Sequence, residues 1–133
     1  MLQLTYSSLA MPRFSQVEIA SMLSKSRKEN ARRGITGILF YSRNRFLQLL
    51  EGESTVALEL FKKIRRDPRH HEIRVLEFQF PHRMFANWAM AFHDLTLNGE
   101  RCIKVDPGVD LHLIDQPTIL EMCAFVSERL LEP

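Results

Sequence analysis

Three uncharged polar side chains, Tyr6, Asn30 and Gln48, stand where the local pattern calls for apolar residues. Tyr6 alternates with Leu2 and Leu4, Asn30 falls on a helical stripe with Ile19, Leu23 and Ser26, and Gln48 lies between Leu47 and Leu49. An unpaired buried amide costs about 1–3 kcal/mol, so each amide needs a partner. Amides do not titrate near neutral pH and a tyrosine does so only near pH ~10, which excludes ordinary acid–base chemistry for such a site. What an amide offers is a donor and an acceptor side by side. That arrangement suits a planar heteroaromatic edge of alternating carbonyls and ring nitrogens, as in a flavin or a nucleobase. Each residue also has a plain structural use. Asn30 can bond backbone near a helix end, Gln48 can face solvent or bond across a ladder, and Tyr6 can be a core tyrosine with one acceptor.

The elements that must carry these residues follow from periodicity. Residues 2–8 alternate as a half-buried strand. Met11-Pro12-Arg13 breaks it, and Ser15 with Glu18 three residues on has the spacing of a capping box. A helix over 16–33 ends at Gly34, where a left-handed terminator belongs. Strands over 35–42 and 46–51 flank a tight turn at Arg43-Asn44-Arg45. Ser54 or Thr55 caps a second helix running to Arg66, whose buried stripe is Val56, Ala57, Leu60, Phe61 and Ile64. Asp67-Pro68 stops it. A fourth strand is predicted over 73–80 and a short fifth over 88–92, with Trp88 and Met90 on one face.

Strand–helix–strand–strand–helix–strand is the ferredoxin-like βαββαβ pattern, here with a fifth strand in a mixed sheet. Two helices cover one face, and strand three enters between strands one and two. Tyr6 and Gln48 then meet beneath the helices, although the apolar Leu47 and Leu49 leave the facing of that strand open. Beyond Phe92 the sequence is polar and poorly periodic to Val105, and Asp106-Pro107-Gly108 signals a turn. From Asp115-Gln116-Pro117-Thr118 a helix begins, with Ile119, Cys123, Val126 and Leu130 at helical spacing and Leu131 widening the stripe. That appendage must bury its stripe on the sheet or on a partner. The expected division is 1–92 as the ligand-binding unit and 93–133 as a helical cap.

Composition narrows the field. At 133 residues, 45% hydrophobic and 26% charged, the chain is long enough for one domain with a real core. No apolar run approaches the ~20 residues of a membrane span. The start, MLQLTYSS, lacks a basic segment and a long apolar one, so no secretory signal is read and a cytoplasmic location is expected. Cys102 and Cys123 are then reduced thiols, too few for a disulfide framework or a zinc site. Net charge is only +2, and the cations cluster at helix ends (Arg27 to Arg33, Lys62 to Arg69), where they complement the dipole. His70 and His71 lack a carboxylate or thiol at ligand spacing, so metal binding is not expected. Neither a phosphate loop nor a nucleophile elbow occurs, and FLQLLEG lacks the aromatic pattern of an RNA-binding strand. No residue near the three polar positions is a substrate-handling base, so no enzyme is read.

The segments LTYSS, NARRGITGILFY, FLQLLEG, DPRHH and FANWAMAF, in this order, resemble the BLUF domain, a blue-light sensor using FAD, in its short single-domain form. The resemblance spans residues 2–92. It implies a flavin held between the two helices, with FMN or riboflavin as alternatives to FAD. Asn30 then bonds the pyrimidine side of the ring, and Gln48 bridges the ring and Tyr6, the electron and proton donor. Lys63, Ile64, Asp67 and Arg69 are further cofactor contacts, with Lys63 toward the tail. Trp88 and Met90 relay the signal. Glu29 departs from the family, some of whose members place an amide or histidine there, so no ring contact is expected of it. The partners implied are a downstream protein effector and a second copy of the chain, with neither nucleic acid nor membrane.

Overall fold

The computed structural model describes residues 1–11, 15–95 and 110–129. Cys102, the Asp106-Pro107-Gly108 turn, Leu130 and Leu131 lie outside the described residues. The elements are β1 (Leu2–Ala10), α1 (Gln16–Arg33), β2 (Thr36–Ser42), β3 (Arg45–Gly52), α2 (Ser54–Arg66), β4 (His70–Leu76), β5 (Ala91–Asp94), a 3-10 turn (Leu111–Leu113) and α3 (Gln116–Arg129). One sheet has the order β4-β1-β3-β2-β5, antiparallel except for the β2–β5 pair. This is the ferredoxin-like arrangement with a fifth strand, and β3 enters between β1 and β2 as its hairpin requires.

Local chemistry explains the ends of the elements. Ser15 accepts from the Glu18 N–H at 3.1 Å while Glu18 accepts from the Ser15 N–H at 3.3 Å, satisfying donors that a helix start leaves open. Gly34 terminates α1 at φ +70°, where a side chain would be strained. The β2–β3 hairpin turns on Arg43 and Asn44, both at positive φ, as a two-residue turn matched to strand twist requires.

Several expected boundaries shift, β1 running on to Ala10 and β3 spanning Arg45–Gly52, and the hydrogen bonds explain those of α2, β4 and β5. Glu53, not Ser54 or Thr55, caps α2: its carboxylate accepts from the Thr55 and Val56 N–H groups, each at 3.1 Å. Strand β4 spans His70–Leu76 rather than 73–80. Its start pairs His70 and His71 with Ala10 and Leu9 across an irregularity near Glu72, itself at φ +52°. Its end comes early because the Phe78 N–H folds back to the Leu76 carbonyl and the Gln79 N–H goes to Gln116. Strand β5 begins at Ala91 rather than 88. Side chains of α1 take the carbonyls of Ala89 and Met90 before the ladder starts.

The sheet is buried on both faces, which explains why Leu47 and Leu49 are as apolar as Leu50. Tyr6, Leu39, Phe46 and Leu50 face α1 and α2, packed with Ile19, Leu23, Ala57 and Phe61. Ile38, Phe40, Leu47 and Leu49 face the other way and pack on Leu111, Ile119, Met122, Cys123 and Val126. The C-terminal helix therefore buries its stripe on the sheet. A hydrogen bond between Ser7 Oγ and His112 Nδ1 adds a polar tie there.

Gly37 shows how closely the central strands approach. A Cβ at this position would lie 1.9 Å from the Leu49 carbonyl oxygen, a backbone atom that cannot swing aside. Gly37→Ala is expected to lower unfolding free energy by more than about 2 kcal/mol, read as a lower urea midpoint.

Candidate functional site

β1 and β3 pair with Tyr6 directly opposite Gln48, and Leu39 of β2 flanks Gln48 on its other side. Directly paired residues share a face, so register alone puts the phenol and the carboxamide together beneath α1 and α2. Both are buried, at 3% and 8% exposure, and Tyr6 Oη donates to Gln48 Oε1. The other end of the amide, Nε2, points at the Met90 sulfur at 3.4 Å. Phe61 packs on Tyr6 with ring centroids 5.4 Å apart, and His70 meets it edge-on at 6.1 Å. Burial pushes the Tyr6 phenol well above its ordinary range, and the nearby Asp67 charge adds to this. The phenol is therefore a neutral donor at any physiological pH.

These groups line a cavity of about 110 Å³ between α1, α2 and the sheet. Asn30, 2% exposed, reaches it from α1 and donates Nδ2 to the Ala89 carbonyl at 3.0 Å. That bond uses one of the amide's donors and leaves its acceptor oxygen uncommitted to it. Met22, Leu23 and Ser26 line the α1 side, and Leu60 and Ile64 the α2 side. Asp67 and Arg69 lie at the mouth in a close ion pair: Arg69 Nε is 3.0 Å from each carboxylate oxygen and a terminal nitrogen 2.5 Å from one. The Arg69 hydrogen bonds hold the Asp67 carboxyl below its usual range, and the same pairing raises the guanidinium.

The cavity continues outward. An adjoining cleft of about 530 Å³ shares Met22, Ser26, Asn30, Leu60, Ile64, Asp67 and Arg69 with it, and adds Lys25, Arg33 and Lys63 at the rim. The inner cavity is smaller than the ~150 Å³ hole that accepts benzene in a protein core, so a three-ring system does not fit in it alone. Inner cavity and outer cleft together form one slot, with a neutral hydrogen-bonding edge at its floor and cations at its rim. A planar heteroaromatic group with a polyanionic tail matches that distribution.

Tyr6, Asn30, Gln48, Ile64, Asp67, Arg69 and Met90 line the inner cavity and Lys63 the outer cleft, while Trp88 lines neither. Trp88 and Met90 do not share a face. Residues 88–90 precede β5, so strand alternation does not apply: Met90 is buried with the α1/α2 core while Trp88 packs against the α3 core. Lys63 stands at the rim rather than at the inner cavity. Glu29 pairs with Arg32 at 2.8 Å and Arg33 at 3.5 Å and lines only the outer cleft. Two contributors escaped the sequence reading. His70, considered there as a metal ligand, is 2.8 Å from Ser8 Oγ and 2.5 Å from the Ile64 carbonyl, joining β4 to β1 and α2. Arg27 donates Nε to the Met90 carbonyl at 2.8 Å. Its position three residues before Asn30, on the same side of α1, was the available signal.

A ferredoxin-like sheet with two helices closing a slot over a phenol–carboxamide pair defines a small domain built to hold a planar ligand. The chain belongs to the BLUF family, sensors of blue light using FAD, whose family model matches residues 1–91. It is 37% identical over 70 residues to the photoactivated adenylate cyclase subunit beta of Euglena longa, a match covering 53% of this chain and 8% of that protein. Among solved structures it resembles the dark state of BlrB, a BLUF protein, with a TM-score of 0.77, 29% identity and 96% of each chain covered. A bacterial light-regulated adenylyl cyclase matches with a TM-score of 0.68 and 36% identity, over 98% of this chain and 35% of that one. The chain is thus a flavin-binding, blue-light-sensing domain, and it spans a small part of the curated cyclase subunit it matches.

The raised phenol has a consequence for pH. A group that resists ionisation when folded stabilises the protein below its unfolded pKa, and that contribution is lost as pH rises past about 10. Unfolding midpoints should therefore fall above pH ~10, and Tyr6→Phe should flatten that alkaline slope while leaving the neutral-to-acid side unchanged in shape.

Proposed function

We propose that this chain is a blue-light photoreceptor in which Tyr6 and Gln48 carry the photochemistry and Met90 and Trp88 pass the change onward. The observation that carries this is the buried chain Tyr6 Oη to Gln48 Oε1, with Gln48 Nε2 at 3.4 Å from the Met90 sulfur, at the floor of the slot. Asn30, Ile64, Asp67 and Arg69 flank the ligand, and Lys63 at the rim favours a phosphate-bearing tail. FAD is the flavin proposed, with FMN or riboflavin as the alternatives.

Bound in the slot, a flavin supplies blue absorption and an excited state that accepts electrons. Tyr6 would serve as donor of an electron and then of its Oη proton, both taken up by the bound flavin and returned in the dark; until then the neutral, desolvated phenol holds the proton. Gln48 accepts the Tyr6 hydrogen bond at rest, so loss of that proton removes the reason for its orientation. Rotation or tautomerisation then exchanges the donor and acceptor ends of the amide with little change in volume. Met90 loses the N–H directed at its sulfur, and Asn30 and Arg27 feel the change through the carbonyls of Ala89 and Met90 that they hold.

Residues 1–92 are the sensory unit in this reading and 93–133 the cap and output segment. The chain acts by contact rather than catalysis, through a downstream protein effector and self-association, in the cytoplasm. Among the described residues no helix is long and apolar enough to cross a membrane.

Purified protein should be yellow, and blue illumination should shift its visible absorption to the red and reverse in the dark. Gln48→Leu and Tyr6→Phe should each retain flavin and lose that shift. A normal red shift in Gln48→Leu would refute the assignment. Chromatography of the heat-released cofactor should return FAD in excess over FMN and riboflavin.

A further inference from the structure

Glu51 is a carboxylate with 0% exposure in the middle of a two-sided apolar sheet. Burying a charge there is costly unless hydrogen bonds replace its hydration. Glu51 accepts three such bonds: from the Met84 N–H at 2.6 Å, the Phe85 N–H at 2.7 Å and Gln3 Nε2 at 2.8 Å. Two of the three donors are consecutive backbone amides of the segment leading to β5, outside any ladder. Arg83 fastens the same spot, with Nε on Thr36 Oγ1 at 2.9 Å and a terminal nitrogen on the Gly34 carbonyl at 2.7 Å.

Segment 84–90 is therefore a strap held at both ends. Glu51 holds its start, while Arg27 and Asn30 hold the carbonyls of Met90 and Ala89 at its finish. In between, the Gly37 N–H bonds the Trp88 carbonyl at 3.1 Å. The strap crosses the end of the sheet: Phe85 and Trp88 pack in the core under α3, and Met90 packs in the core under α1 and α2. Glu51 lies three residues after Gln48 on the same strand, on the opposite face. Its charge also reaches Cys123 of α3, whose thiol burial pushes up to about 12, with Glu51 adding to the shift.

We propose that Glu51 is a positioning residue for the photocycle: it anchors the start of the 84–90 strap so that Met90 is held against the Gln48 amide, and so that movement of Met90 is delivered to Phe85 and the α3 face. This rests on the photosensor reading above. A carboxylate is needed because both oxygens must accept. A glutamine would turn its NH₂ toward at least one of the three donors and leave a buried N–H unpaired.

The test uses the flavin-loaded full chain and its Glu51→Gln and Gln3→Ala variants. Two readouts are taken: hydrogen exchange at the Met84 and Phe85 amides in the dark, and the rate of dark recovery after blue light. Glu51→Gln should bind flavin, speed exchange at those amides by about 10-fold and change the recovery rate by at least about threefold. Gln3→Ala, which removes one donor from a half-buried position, should move both in the same direction by less, and decides the matter if Glu51→Gln does not fold. Unchanged recovery in a folded variant overturns the proposal, whether or not exchange has sped up, since a merely structural anchor would alter exchange alone. A wild-type chain without a light-induced shift refutes the photosensor reading instead. In that case unchanged exchange at Met84 and Phe85 in Glu51→Gln still overturns the anchor by itself.

Discussion

A neutral phenol donating to a carboxamide oxygen, both of them buried, is the constraint around which the site is arranged. The bond fixes which end of the Gln48 amide faces Tyr6 and therefore which end faces Met90. An amide reads its surroundings only through that choice, because its two ends are nearly equal in size and opposite in hydrogen-bonding sense. Burial makes the choice matter: a wrong orientation would leave donors facing donors in a low-dielectric setting. Ionisation of the phenol is suppressed by burial, so the phenol remains a hydrogen-bond donor across ordinary pH.

The sheet joins this site to the opposite side of the molecule. Its two faces bury separate cores, one under α1 and α2 and one under α3, and β3 contributes side chains to both. Strand alternation makes Gln48 a residue of the first face and Leu47, Leu49 and Glu51 residues of the second. The segment entering β5 belongs to both as well, through Met90 on one side and Phe85 and Trp88 on the other. Close-packed cores do not deform smoothly, so the two are coupled mechanically wherever one segment packs in both.

Most of the fold was legible because it follows from short-range rules. The Ser15–Glu18 capping box, Gly34 as terminator, the two-residue hairpin turn and Pro68 after α2 are local signals that tertiary packing had no reason to override. The partnership of Tyr6 and Gln48 was legible only in part: topology sets β1 beside β3, but the apolar Leu47 and Leu49 left the facing of β3 open, because both faces of the sheet are buried. What failed was the region from β4 to β5. Strand ends there depend on where backbone groups find partners, and those partners are distant side chains: Gln116 for Gln79, Asn30 for Ala89, Arg27 for Met90. Reading Trp88 and Met90 as a strand pair assumed an alternation that begins only at Ala91.

Sequence by itself determined the elements, the topology and the chemical character of the site, because apolar period, capping residues and uncharged polar interruptions are written residue by residue. Only the tertiary structure decided that α3 closes the second face of the sheet, that Trp88 and Met90 lie in different cores, and that a buried Glu51 ties the strap to β3. Those outcomes rest on contacts between residues tens of positions apart. No local pattern encodes them, because the free energy that selects them exists only once both partners have left water.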